Sequence, residues 1–173
     1  MKFSQRQEEI IKLVKEGQPI TSENLAEKLG VTRAALRADD VMSKPVTVNE
    51  NTMDYDAIVY LFLNDVGTLF VENNDVLVGA VSRKDFLKIA IGGTDIHKVP
   101  VGVIMTRMPN IICGSRDDSA IILAKKIIEH EIDSIPIVEK VKIDDGSREV
   151  IKIVGKMSKT NITKLFAGLG EEN

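Results

Sequence analysis

One motif occurs twice in the chain, and it constrains the fold more than any other feature. Residues 79–87 read GAVSRKDFL, and residues 155–163 read GKMSKTNIT. Each copy predicts a short apolar strand, a polar Ser-x-x-Asp/Asn corner and a helix with an apolar face. A segment with Met in second place and Pro at its end precedes each copy, VMSKP at 41–45 and IMTRMP at 104–109. The chain therefore contains an internal repeat of roughly sixty residues, present twice.

Each repeat predicts the element order β-α-β-β-α. In the first, turn-forming residues at 73–75 separate two strands of a hairpin. In the second, the hairpin loop is longer and charged, and it is predicted as a solvated excursion at 140–149. The predicted strands are 46–48, 69–71, 76–81, 111–113, 135–138 and 150–154. The predicted helices run from Asn51 or Thr52 to Phe62, over 85–90, from Asp117 or Asp118 to Ile128, and to Gly168.

The first forty residues predict short helices joined by a Gly-bearing turn, which describes a helix-turn-helix. Residues 19–37, PITSENLAEKLGVTRAALR, resemble the DNA-binding helices of bacterial winged-helix repressors. That resemblance places the third helix in the major groove of an operator. The alternative is a small helical cap that uses the same corner only for packing. The candidate DNA-binding residues are Ser22, Thr32, Arg33 and Arg37.

The wing that follows the recognition helix in winged-helix repressors is missing. Leu36 to Asp39 runs straight into Asp40, which already belongs to the first repeat. Either the protein has lost its wing, or a segment next to Asp39 is absent from this sequence. We favour the second explanation.

Composition narrows the class of protein. Hydrophobic residues make up 43% of the 173 residues and aromatic residues 4%, which predicts an aliphatic core. The net charge of −3 argues against general nucleic-acid binding but leaves a local basic face open. A single cysteine permits no disulfide and fits a reducing cytosol. The longest apolar run, 57–63, is too short to cross a bilayer. We expect a cytoplasmic protein with no membrane partner, and no catalytic or metal-binding set indicates an enzyme.

Residues 40–170 resemble a pair of CBS (cystathionine β-synthase) domains, whose local mark is Gly-x-φ-Ser/Thr-x-x-Asp with φ apolar. The resemblance implies an α+β fold in which tandem CBS repeats form a disc with two clefts that often bind adenosyl compounds. Asp85 would accept the ribose hydroxyls, and the helix N-terminus would favour the phosphates. The alternative is that the same residues form only a helix cap. Asn161 stands where the acid should be, which puts ribose capture in that cleft in doubt.

The expected regulatory ligand is an adenine nucleotide (ATP, ADP or AMP, or a dinucleotide), not a catalytic cofactor. The candidate nucleotide-binding residues are Val46, Val66, Gly67, Thr68, Ser82, Arg83, Asp85, Arg107, Asn110, Ile132, Asp133, Ser134, Ser158, Lys159 and Asn161.

The combination of a helix-turn-helix with two CBS repeats is rare. Residues 55–58, 65–71, 81–85, 104–111 and 159–164 resemble the CcpN repressors, which exert catabolite control over gluconeogenic genes in Firmicutes. The resemblance implies a repressor that forms a homodimer through its CBS domains and senses a nucleotide. The competing hypothesis is a CBS module that acts through a protein partner without binding DNA. The expected domains are the helix-turn-helix at 1–39, repeat 1 at 40–91, a linker at 92–102 and repeat 2 at 103–170.

Overall fold

The structure, a computed structural model, describes residues 36–168. It has the α+β fold that the sequence predicts. Repeat 1 has the predicted order β-α-β-β-α, and repeat 2 keeps the α-β-β-α part of that order. The helices are α1 (Ala38–Val41), α2 (Asp54–Leu63), α3 (Arg83–Ile91), α4 (Val101–Ile104), α5 (Ala120–Glu129) and α6 (Lys159–Gly168). The strands are β1 (Thr47–Asn49), β2 (Thr68–Asn73), β3 (Val76–Ser82), β4 (Thr106–Arg107), β5 (Ser134–Ile143) and β6 (Arg148–Ser158).

Two sheets carry the repeats. The first has the order β1-β2-β3-β4, in which β1 pairs parallel to β2 and the other neighbours pair antiparallel. The second is the antiparallel hairpin of β5 and β6. Asn74 and Asp75 turn the first hairpin with φ of 50° and 60°, as their tolerance of positive φ predicts. Pairing aligns Thr68 with Ser82 in the first hairpin and Ser134 with Ser158 in the second, so the two hairpins have equivalent register at the motif.

Two local predictions for the second repeat are wrong. Residues 111–113 form no strand, and a single parallel bridge joins Gly114 to Ile137 instead. The predicted loop at 140–149 is mostly sheet, because β5 and β6 extend to a tight turn at Asp144–Gly146. An antiparallel ribbon pairs alternate backbone donors and acceptors across its two strands and leaves the outward ones to solvent. Charged side chains such as Lys140 can therefore stay in solvent on a regular ladder.

The Met-Pro segments (41–45 and 104–109) each pack on the opposite repeat. Val101 and Met105 complete the core of repeat 1, whereas Ala38 and Val41 complete the core of repeat 2. Backbone pairing follows the same exchange. The β4 strand pairs with β3, and Ser43 exchanges two backbone hydrogen bonds with Lys156 of β6. The segment that leads out of the helix-turn-helix is thus part of repeat 2 in space, although it precedes repeat 1 in sequence.

These exchanged segments explain why both motifs begin with glycine. A Cβ on Gly79 would overlap the side chain of Met105, and a Cβ on Gly155 would overlap the side chain of Met42. The Gly-x-φ-Ser pattern and the methionine of the opposite segment are therefore two halves of one close contact between the repeats.

Candidate functional site

The corner of the first motif is a helix cap. Asp85 Oδ2 accepts hydrogen bonds from the Ser82 backbone N–H at 2.9 Å and from its hydroxyl at 2.7 Å, as in a capping box. Asp85 Oδ1 lies 3.6 Å from the ammonium of Lys88. These residues form a helix cap, and the cap holds the carboxylate at the helix start. One carboxylate oxygen remains outside the capping hydrogen bonds.

The corner of the second motif forms the same kind of helix cap, and its Asn161 side chain also contacts the segment before repeat 1. Asn161 Oδ1 accepts hydrogen bonds from the Ser158 N–H at 3.1 Å and from the Ser158 hydroxyl at 2.5 Å. The Ser43 hydroxyl lies 3.4 Å from the same oxygen. The amide nitrogen of Asn161 donates to the carbonyl of Val41 at 3.2 Å. The side chain therefore caps α6 and also holds the end of α1.

A cleft lies on each side of the pair where the two repeats meet. The Asp85 cleft has a volume of about 180 Å³ and joins the first corner to β4 and to the stretch before β5. Its charged lining is mainly acidic. It has one basic residue, Lys84, and three acidic residues, Asp85, Glu131 and Asp133. Its other lining residues are Thr68, Phe70, Ala80, Val81, Ser82, Thr106, Asn110, Ile111, Ile112, Ile132 and Ser134.

The Asn161 cleft is larger, at about 640 Å³, and joins the second corner to the stretch before β2. Its lining carries four basic and two acidic side chains. The basic ones are Arg83, Lys156, Lys159 and Lys164, and the acidic ones are Asp65 and Asp133. Its other lining residues are Ser43, Asn64, Val66, Gly67, Ser134, Ser158, Thr160 and Asn161.

Two of these four cations are held in place by partners within the protein, and Lys156 differs from them in its burial. The Arg83 guanidinium donates to the Val66 carbonyl at 3.0 Å, and the Lys159 ammonium lies 3.1 Å from Asp133. Lys156 is half-buried and makes no ion pair within the described chain, and burial lowers the pKa of its ammonium. An anion in this cleft would therefore meet a cation that has no counter-charge of its own.

The structure brings most of the predicted nucleotide-binding residues to the two clefts. Arg83 was expected beside Asp85, but it lines the Asn161 cleft, because it points back from α3 to the stretch before β2. Val46 and Arg107 line neither cleft. Val46 packs against core 1, and Arg107 donates to the Gly102 carbonyl at 2.6 Å.

Sequence reasoning missed several lining residues. Ser43 and Thr106 each follow the methionine of a Met-Pro segment, so their equivalent positions in the repeat were an available signal. Lys84, next to Arg83 in the motif, is a predicted phosphate-neutralising cation, and it lines the Asp85 cleft. Lys156 and Lys164 line the Asn161 cleft without having been predicted as site residues. Their spacing from the motif gave no separate indication, because the packing of two distant segments decides which cleft they reach.

Of the predicted DNA-binding residues, Ser22, Thr32 and Arg33 lie outside the described residues. Arg37 was expected one turn after Arg33 on the recognition helix, but its backbone is extended, with φ −97° and ψ 164°. Its guanidinium pairs with Asp117 at 2.5 Å. In the structure Arg37 therefore joins the start of α1 to repeat 2.

Comparison with known proteins identifies the family. A family model described as an HTH domain matches residues 6–39, and one described as a CBS domain matches residues 38–92. The transcriptional repressor CcpN of Bacillus subtilis (strain 168) is 39% identical over 211 aligned positions, covering 99% of this chain and 97% of that protein. The chain belongs to the CcpN family of transcriptional repressors. At least 38 of the 211 aligned positions have no counterpart in this chain, because it has only 173 residues.

Solved structures agree with a CBS pair. The CBS domain pair of protein MJ0100, in complex with 5′-methylthioadenosine and S-adenosyl-L-methionine, is 25% identical with a TM-score of 0.63, and the match covers 78% of this chain and 98% of that one. An uncharacterized conserved protein from Pyrococcus horikoshii is 27% identical with a TM-score of 0.63, over 77% and 93% of the two chains. A CBS domain protein from Pyrobaculum aerophilum complexed with AMP, 20% identical with a TM-score of 0.62 over 78% and 98%, shares the fold.

Across residues 36–168 no helix is long and apolar enough to span a membrane. The same residues hold no group of three or more His, Cys, Asp or Glu side chains placed to bind a metal ion. Cys113 is half-buried and its thiol lies 3.5 Å from the Ile111 carbonyl, and burial raises the pKa of the thiol. A half-buried thiol of this kind packs as a small hydrophobic side chain.

Proposed function

We propose that the protein is a DNA-binding repressor of gluconeogenic genes in central carbon metabolism, regulated by an adenine nucleotide in its CBS clefts. The observation that carries this proposal is the position of residues 36–43, which we call the junction segment. It leads directly out of the helix-turn-helix, and its last residue, Ser43, lines the Asn161 cleft. A ligand in that cleft therefore sits against the segment that carries the DNA-binding helices.

The nucleotide is supported by volume and charge. Clefts that hold small ligands usually measure about 300–1,000 Å³, and the Asn161 cleft lies inside this range. Its four basic side chains favour phosphates over an uncharged ligand. The CBS pair of MJ0100 is described in complex with two adenosyl compounds, which supports the adenine moiety. We propose no catalytic step, and the protein would act in the cytoplasm, where an operator is accessible.

The homodimer through the CBS domains is proposed from unpartnered apolar surface. Phe62, Leu87 and Ile91 are 83%, 61% and 87% exposed on α2 and α3 of repeat 1. Ile122 and Ile128 are 55% and 74% exposed on α5, the equivalent first helix of repeat 2. Large exposed apolar side chains grouped on helices are typical of association surfaces. Because both repeats present such helices, a second copy of this chain can cover both groups through one two-fold axis.

The test starts from DNA selection. The full-length protein would be used to select sequences from a random duplex library, and the affinity of the selected sequence would be compared with that of scrambled DNA at fixed salt. We expect a selected sequence bound at least about 1,000-fold more tightly than scrambled DNA, the lower end of specific recognition. Its affinity should change on adding AMP, ADP or ATP but not with adenosine, which lacks phosphates.

Two outcomes would contradict the proposal. Equal affinities for selected and scrambled DNA would favour the CBS module that acts through a protein partner. Sequence-specific binding that no adenine nucleotide alters would leave a repressor without the proposed regulation.

A further inference from the structure

We propose that Asn161 is the positioning residue through which a nucleotide acts on the helix-turn-helix, and that the regulatory signal comes from the Asn161 cleft alone. The proposal rests on the function above and deepens it, because it assigns the signal to one of two clefts. It also reverses the sequence-based expectation that Asp85 matters more than Asn161.

The argument begins with the chemistry of an amide. Asn161 uses its oxygen to cap α6 and its nitrogen to donate to the Val41 carbonyl at 3.2 Å. An aspartate could make the cap but not the second bond, because a carboxylate has no donor when ionised. Two acceptor oxygens would instead face each other at Val41. Asparagine at this position therefore supplies a donor to the junction segment that the usual acid of the motif would lack.

The Asp85 cleft provides the comparison within the same molecule. There the motif keeps its acid, and Asp85 accepts its capping hydrogen bonds from Ser82. The backbone that packs against this corner comes from α4 and β4, which follow the linker and lead into repeat 2. No DNA-binding element is attached there. The chain thus has the amide at the corner next to the helix-turn-helix and the acid at the other corner.

The junction segment is held along its length, so a shift at Val41 would be passed on. Leu36 O accepts from the Ala120 N–H at 2.7 Å, and the Ala38 N–H donates to Asp118 O at 2.8 Å. Arg116 pairs with Asp39 at 2.6 Å and with Glu139 at 2.5 Å. Every one of these partners belongs to repeat 2. The segment therefore moves with repeat 2 unless its contacts at the cleft are broken.

A nucleotide in the Asn161 cleft would compete for these contacts. Ribose hydroxyls and phosphate oxygens bind the same kinds of groups that Asn161, Ser158 and Ser43 now offer to one another. When the Asn161 amide turns to the ligand, the Val41 carbonyl loses its donor and the end of α1 is released. Because linkage is reciprocal, DNA that favours one position of α1 must alter nucleotide affinity equally.

Asn161→Asp is the decisive variant, with Asp85→Asn as the matched control in the other cleft. Asn161→Asp removes the hydrogen bond to the Val41 carbonyl even when no ligand is bound. Its DNA affinity in the absence of nucleotide should therefore equal that of the wild type saturated with ATP, and ATP should change it less than about twofold. ATP should change the DNA affinity of both the wild type and Asp85→Asn by roughly 5- to 150-fold, the usual size of such coupling.

Hydrogen–deuterium exchange of residues 36–43 gives a readout without DNA. We expect faster exchange in wild type with ATP, and equally fast exchange in Asn161→Asp without it. Asn161→Ala removes the same donor and replaces Asn161→Asp if that variant does not fold. If ATP changes the DNA affinity of both Asn161 variants as much as it changes that of the wild type, the inference is overturned while the proposed function stands. If wild-type DNA affinity does not respond to ATP, ADP or AMP, the proposed regulation fails as well.

Discussion

At the scale of single residues, Asp54 is the least expected feature of the fold. Its carboxylate is fully buried at the start of α2, and neither oxygen has a hydrogen-bond partner within the described chain. Burial raises the pKa of Asp54 to about 6. A carboxyl group that holds its proton more tightly in the native state stabilises the fold below the unfolded pKa of 3.8. That stabilisation is lost as the pH rises through about 6.

Asp54→Asn removes the titration while keeping the shape. We expect the variant to match wild type near pH 4 and to exceed it at neutral pH by up to about 3 kcal/mol, because the wild type must then bury a charge. Urea denaturation of both proteins across this pH range measures the difference. A difference that does not change with pH would show that Asp54 titrates normally.

Residue patterns predicted the corners of the site but not their partners. The caps formed by Ser82 and Ser158 follow from Ser-x-x-Asp and Ser-x-x-Asn spacing, which is local. The bond from Asn161 to Val41 joins residues 120 positions apart, and no local pattern contains it. For the same reason Asn161 was interpreted as a weakened ribose ligand, whereas its nitrogen serves the junction segment.

At the scale of elements, hydrophobic periodicity predicted the repeated β-α-β-β-α order, because burying one face of a helix or strand leaves a mark in the sequence. Periodicity could not show that each Met-Pro segment packs on the opposite repeat, since both packings bury the same residues. It also missed the length of β5 and β6, because an exposed two-stranded ribbon needs no buried face.

The exposed helices give the prediction for this scale. Phe62→Glu combined with Ile128→Glu places charge on the helices of both repeats, where a dimer would bury it without a partner. We expect sedimentation to give about twice the 19.1 kDa chain mass for wild type and the single-chain mass for the double variant. Val103→Glu, 72% exposed on α4, is the control and should remain dimeric. A double variant that stays dimeric would place the interface elsewhere.

At the scale of the whole molecule, the segment before repeat 1 in the sequence packs into the core of repeat 2. The junction segment belongs to the core of repeat 2, so the DNA-binding helices are attached to the repeat that is farther along the sequence. The explanation for the missing wing and the domain boundaries stay predictions, as do the roles of Ser22, Thr32 and Arg33. If the proposed function holds, a ligand in the Asn161 cleft contacts the segment that leads to the DNA-binding part of the chain.

Coupling between the two ligands is the central claim, and one measurement tests it directly. The dissociation constant of ATP from the full-length protein would be measured by calorimetry, alone and with saturating selected DNA. We predict that DNA changes the ATP constant by the same factor by which ATP changes the DNA constant, as linkage requires. If DNA leaves the ATP constant unchanged, sensing and DNA binding are independent, and the account of a nucleotide-regulated repressor is contradicted.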